Sequence, residues 1–109
     1  MPFQSLTIDP AFPADWRARI DAAMPTLEYV LRRAADRLAV EWHHEPGGTA
    51  TLAITDHEIC RVEQYTAREL ADPRTYRWRF SRQWGEILAT RSDRLMKVIR
   101  DGLEEPVGV

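Results

Sequence analysis

A single cysteine, Cys60, is the whole thiol content of this 109-residue chain. No internal disulfide can staple it, so packing must hold the fold, and a reducing cytoplasm is the expected setting. Histidine is almost as scarce. His43, His44 and His57, with Glu45, Asp56 and Cys60 nearby in sequence, do not have the spacing of a zinc knuckle or ribbon. Consecutive strand residues also point to opposite faces, so His43 and His44 cannot easily grip one ion. No metal or other cofactor is expected. There is no G-x-S-x-G elbow, P-loop, G-x-G-x-x-G or H-E-x-x-H, and the carboxylates are scattered rather than convergent. No apolar run approaches a membrane span, and Met1 to Pro13 lacks the basic and apolar parts of a secretory leader. A cytoplasmic protein without membrane contact is the expectation.

Lysine is nearly absent as well: Lys97 stands alone among fifteen basic residues. The arginine excess could suit bidentate anion contacts, but codon usage in a GC-rich bacterial genome produces the same bias and is the preferred explanation. Net charge is −2 but unevenly spread, acidic up to Cys60 and basic from Arg61 to Arg100. With 44% hydrophobic and 29% charged residues the chain is ordinary globular material. Its length suits one domain, with residues 1–13 as an N-terminal arm and 103–109 as a loose tail.

Trp16, Ile20, Ala23 and Met24 fall at helical spacing after Pro13, which predicts a first helix from Ala14. Pro25 should break or kink it, with a restart at Thr26 carrying Leu27, Val30, Leu31, Ala34 and Leu38 on one face. From Leu38 the period becomes alternating, so Leu38, Val40, Trp42 and His44 read as one face of a strand. Pro46-Gly47-Gly48 turns the chain. A three-residue loop with a left-handed glycine pairs Val40 with Ile54, Trp42 with Leu52 and His44 with Ala50, matching the apolar faces. Thr55-Asp56-His57-Glu58 can open a helix or close a second hairpin, which leaves 56–70 helix or strand. The preferred reading is a further strand, Ile59 to Thr66, pairing Ile54 with Cys60 and Leu52 with Val62, which makes Cys60 an inert core residue.

After a connection at Ala67 to Thr75, Tyr76, Trp78 and Phe80 alternate with Arg77 and Arg79 and predict a fourth strand. Trp84, Ile87, Leu88, Leu95, Val98 and Ile99 then form the stripe of a closing helix ending near Gly102. Arg91 interrupts that stripe. Either the helix breaks at Thr90 to Asp93, or Arg91 marks an interface where a neighbouring chain supplies a carboxylate. The predicted fold is α+β, an antiparallel four-stranded meander sheet in the order α-β-β-β-β-α, with a kinked N-terminal helix and a C-terminal helix on one face. Its other face would carry Glu41, His43, Glu45, Arg61, Glu63, Arg77 and Arg79.

Three functional expectations follow. The leading one is a small non-enzymatic accessory or regulatory protein of bacterial or phage type, acting by protein–protein binding as a homodimer, with Trp16, Trp84, Arg91 and Met96 as interface candidates. The second is binding of nucleic acid or another polyanion through Arg74, Arg77, Arg79 and Arg82. Strand alternation weakens it by sending the arginines and the aromatics to opposite faces. The third is a small enzyme, which requires a concave pocket where two or more of His43, His44, Asp56 and Glu58 converge.

Overall fold

The computed structural model describes residues 2–104. Strand β1 (Ser5–Ile8) leads into helix α1 (Ala14–Val30), a short 3-10 turn at Ala35–Arg37, and strands β2 (Leu38–Glu45), β3 (Thr49–Asp56) and β4 (Ile59–Thr66). Helices α2 (Ala67–Leu70) and α3 (Pro73–Glu104) close the chain. The fold is α+β, as its periodicities predict. The four-stranded sheet is mixed rather than a pure meander, because β1 runs parallel to β2 while β2, β3 and β4 are antiparallel. Parallel neighbours need a crossover, and α1 supplies it.

The segment expected as an arm therefore contributes an edge strand. Leu6 and Ile8 are half-buried on the core side, and Asp9 fastens the strand's end. The Asp9 carboxylate accepts the amides of Ala11 and His44, and those two backbone hydrogen bonds hold its pKa below the usual aspartate value. The expected tail at 103–109 is helical as far as Glu104, and residues 105–109 lie outside the described residues.

Pro25 does not break α1, which runs through it unbroken to Val30. Proline removes one backbone donor, but Ile20, Ala23, Met24 and Leu27 are all buried on the same side of the helix. Continuous burial of that stripe outweighs the lost bond. The helix ends before Leu31, and Leu31 and Ala34 reach the core through turns and Leu38 as the first residue of β2, rather than as a helical face.

The β2–β3 hairpin has the predicted register, with Val40 opposite Ile54, Trp42 opposite Leu52 and His44 opposite Ala50. Gly48 takes φ +85° and donates to the Glu45 carbonyl, as a turn with a left-handed glycine requires. The second hairpin is displaced by one residue from the expectation: Ile54 faces Arg61 and Leu52 faces Glu63. A two-residue connection, His57-Glu58 with His57 at φ 56°, sets that register. It buries Ile59 and Tyr65 instead of Cys60 and Val62, which are exposed. The gain is a large aromatic, and Arg61 and Glu63, now on the helix side, find polar partners on α3.

The largest departure is at Tyr76–Phe80, which is helical and lies within α3. Asp72-Pro73 starts a helix: proline suits the first helical position, and the Asp72 carboxylate accepts the Arg74 amide and the Thr75 hydroxyl. Tyr76, Phe80, Gln83 and Ile87 then recur at helical spacing and are all buried, while Trp78 is exposed. One core joins these residues to Trp42, Leu52, Ile54 and Tyr65 of the sheet and to Trp16, Ile20 and Leu27 of α1. The other sheet face carries Glu41, His43, Glu45 and the Thr49/Thr51/Thr55 row, and none of these joins the core.

Candidate functional site

Helix α3 dominates the shape of the molecule. Thirty-two residues at 1.5 Å each make a rod of about 48 Å, and the longest dimension of the protein is 65 Å. The radius of gyration is 17.1 Å, against about 13 Å for a compact domain of this size. The excess comes from the second half of α3, where every residue from Arg91 to Arg100 is exposed.

The first half is firmly seated. Gln83 is fully buried; its Nε2 donates to the carbonyls of Leu52 and Arg61, and its Oε1 accepts the Tyr65 hydroxyl. Burial of Tyr65 pushes its pKa up. Arg79 is enclosed: it donates to Glu63, Glu69 and the Gln64 carbonyl, and it lies 4.2 Å over the Tyr65 ring. Glu69 also closes a capping box with Thr66. Desolvation pushes the Glu69 pKa up, but the Thr66 amide and Arg79 together outweigh it and hold it below the usual glutamate value. Further along, Arg61 donates to the Thr90 hydroxyl, and Arg91 lies 3.5 Å from the buried Asp56 carboxylate, which Arg37 also grips.

Exposed apolar side chains recur along α3, on the outer side of its seated half and on all sides of its free half. Trp78 is 61% exposed, Leu95 and Met96 60% each, Val98 68%, and Ile99 and Leu88 nearly half. Soluble proteins scatter single apolar residues over their surfaces, but a cluster such as Leu95, Met96, Val98 and Ile99 marks an interaction surface. Ser81, Gly85 and Ser92 are exposed between these large side chains.

The predicted site residues separate accordingly. Trp16 is buried against Phe12, and Trp84 is half-buried against the core. Arg91 and Met96 lie on the free part of α3. The expected break at Thr90–Asp93 is absent; the helix is continuous because Arg91 is half-exposed and its carboxylate partner belongs to its own chain. Of the four arginines, Arg74, Arg77 and Arg82 are exposed and Arg79 is committed to its ion pairs. On a helix they no longer face away from the aromatics, since the Arg82 guanidinium sits 4.9 Å over the Trp78 ring. Arg61, Glu63, Arg77 and Arg79, expected on the open sheet face, lie instead on the helix side or on α3 itself.

A cleft of about 240 Å³ at the hairpin tip is lined by Asp56, His57, Glu58, Ile59, Arg91 and Arg94. It brings Asp56 and Glu58 together, whereas His43 and His44 lie elsewhere along β2. Asp56 is enclosed by Arg37 and Arg91 and is not free to act as a base. No group of three metal-ligating side chains occurs among the described residues. Nor is any helix among them long and apolar enough to cross a membrane. Sequence reasoning missed Trp78, Gly85 and Gln83. The signals that mark them are the Asp72-Pro73 helix start and the recurrence of Tyr76, Phe80, Gln83 and Ile87. No family model, no curated protein and no solved structure matches this chain.

Proposed function

We propose that this is a small, non-enzymatic accessory or regulatory protein of a bacterial or phage cytoplasm, acting by binding another protein through the outer face of α3. The observation that carries the reading is the set of exposed apolar side chains on α3, Trp78 and Leu88 on the seated half and Leu95, Met96, Val98 and Ile99 close together on the free half. Exposed aromatic, methionine and aliphatic anchors are what protein interfaces use. Affinity capture from host lysate tests it. A protein retained by the wild type and lost with the folded Leu95→Glu/Val98→Glu variant supports the reading. Equal retention by both, or none by either, overturns it.

Arg74 and Arg77, exposed near Trp78, with Arg82 stacked on its ring and 3.4 Å from Glu63, favour a second reading, polyanion or single-stranded nucleic-acid binding, because guanidinium groups and an exposed aromatic lie close together on one helix. Binding should then weaken steeply with salt and fall with Trp78→Ala. Absence of retention on DNA or RNA at low ionic strength ends it.

A further inference from the structure

We infer that the partner of the α3 outer face is a second copy of this chain, packed antiparallel along the helix; this rests on the protein-binding reading above. Positions Trp78, Ser81, Gly85, Leu88, Ser92, Leu95, Ile99 and Gly102 follow one another at alternating three- and four-residue steps. That is the spacing of a heptad seam, with four large side chains interspersed with Ser81, Gly85, Ser92 and Gly102. All but one of the charged residues in the second half, Asp93, Arg94, Lys97, Arg100 and Asp101, fall outside the seam and its flanks. The exception is Arg91, whose charge is already answered by Asp56 of its own chain.

The order of sizes along the seam selects both the partner and its direction. Antiparallel pairing about a two-fold axis near Thr90 puts Trp78 against Gly102 of the second copy, Ser81 against Ile99, Gly85 against Leu95 and Leu88 against Ser92. Every layer then joins a bulky side chain to a small one, the condition for filling space without voids or overlap. Gly85 and Gly102 have the room for this: a Cβ on either meets nothing within 4 Å. In-register parallel pairing would instead stack Trp78 on Trp78 and glycine on glycine, leaving gaps between clashes. Antiparallel pairing also opposes the two helix dipoles favourably.

The geometry leaves room for two copies. Tyr76, Phe80, Gln83 and Ile87 face the sheet, so the two globular parts fall on opposite sides of the helix pair. The seam spans residues 78–102, about 37 Å of helix. This is long enough to approach the roughly 1,200 Å² at which stable interfaces begin.

Sedimentation or light scattering across a concentration series tests the inference. The wild type should dimerise, Leu95→Glu should weaken association ~100-fold or more by burying a charge, and Gly85→Leu should do the same by overfilling its layer. Adding Leu95→Ala to Gly85→Leu should restore pairing, which a merely sticky surface would not do. In a Cys60→Ser background, Ser81→Cys should cross-link to Ile99→Cys and not to itself, whereas self-cross-linking would overturn the antiparallel arrangement. A wild-type monomer at every concentration overturns the second copy while leaving capture of a different protein to decide the broader reading. A dimer indifferent to Leu95→Glu and Gly85→Leu overturns the second copy on α3 and likewise leaves capture of a different protein to decide the broader reading.

Discussion

The two faces of α3 are built from the same kinds of residue and have opposite fates. Tyr76, Phe80 and Ile87 are buried on the inner face, while Trp78, Leu88 and Leu95 stand exposed on the outer one. Aromatic content does not separate them; the polar residues among them do. The inner face carries Gln83, whose amide is met at both ends by the sheet and by Tyr65. The outer face carries Ser81, Gly85 and Ser92, which satisfy nothing beyond their own helix and leave space. A buried polar group with complete partners fixes one orientation of a helix. Small residues between large ones leave an orientation still to be filled.

The sharpest way to break the comparison is to truncate one residue on each side. Phe80→Ala should cost about 3–5 kcal/mol, the usual range for emptying a core aromatic site, because Phe80 touches the rings of Trp42, Tyr65 and Tyr76. Leu95→Ala, measured by urea unfolding in dilute solution, should stay within about 0.5 kcal/mol of wild type. Equal losses would mean that the outer face is covered within the monomer. Next in size is Gln83→Leu, nearly isosteric but apolar. It strands the buried Tyr65 hydroxyl and should cost about 1–3 kcal/mol, whereas Ser92→Ala should be neutral by the same measurement.

How much of this was legible in the sequence differs between elements for physical reasons. The β2–β3 hairpin was readable because both strands are buried on one face and a slip of one residue would expose that face. The β3–β4 register was not, since β4 is an edge strand whose core side carries Arg61 and Glu63, and their partners come from α3. Tyr76-Arg77-Trp78-Arg79-Phe80 satisfies strand alternation and helical spacing equally well over five residues. The cap at Asp72 and the continuation through Gln83 and Ile87 decide between them. β1 was missed because four residues pairing in parallel leave little alternation to see. The stripe expected on the closing helix joined Trp84 and Ile87, which meet the core, to Leu88, Leu95, Val98 and Ile99, which are exposed, because periodicity reports a face without saying what covers it.

A smaller effect separates charge from shape at the helix base. Glu69→Gln keeps the capping geometry but removes the attraction to Arg79. The carboxylate's folded pKa lies below its ordinary value of 4.5, so its contribution is present above that pH and is lost as pH falls through the folded pKa. Thermal melts should therefore show the wild type ahead of Glu69→Gln near neutrality, with the gap closing below pH 4.5. A gap that widens in acid would reverse the assignment.

The last comparison sets two glycines on the same helix against each other. Gly85 lies in the seated half and Gly102 in the free half, and an added methyl meets no atom within 4 Å at either position. Alanine favours helix over glycine by about 1 kcal/mol wherever the helix is part of the cooperative unit. In dilute solution Gly85→Ala should raise the unfolding free energy by roughly that amount, and the midpoint with it. Gly102→Ala should leave the midpoint unchanged while slowing amide exchange in the last turns, because a helix end without tertiary contacts opens independently of the core. If Gly102→Ala stabilises the whole protein as much as Gly85→Ala does, the two halves of α3 unfold as one. The distinction between a seated and a waiting segment would then be one of exposure alone and not of energetics.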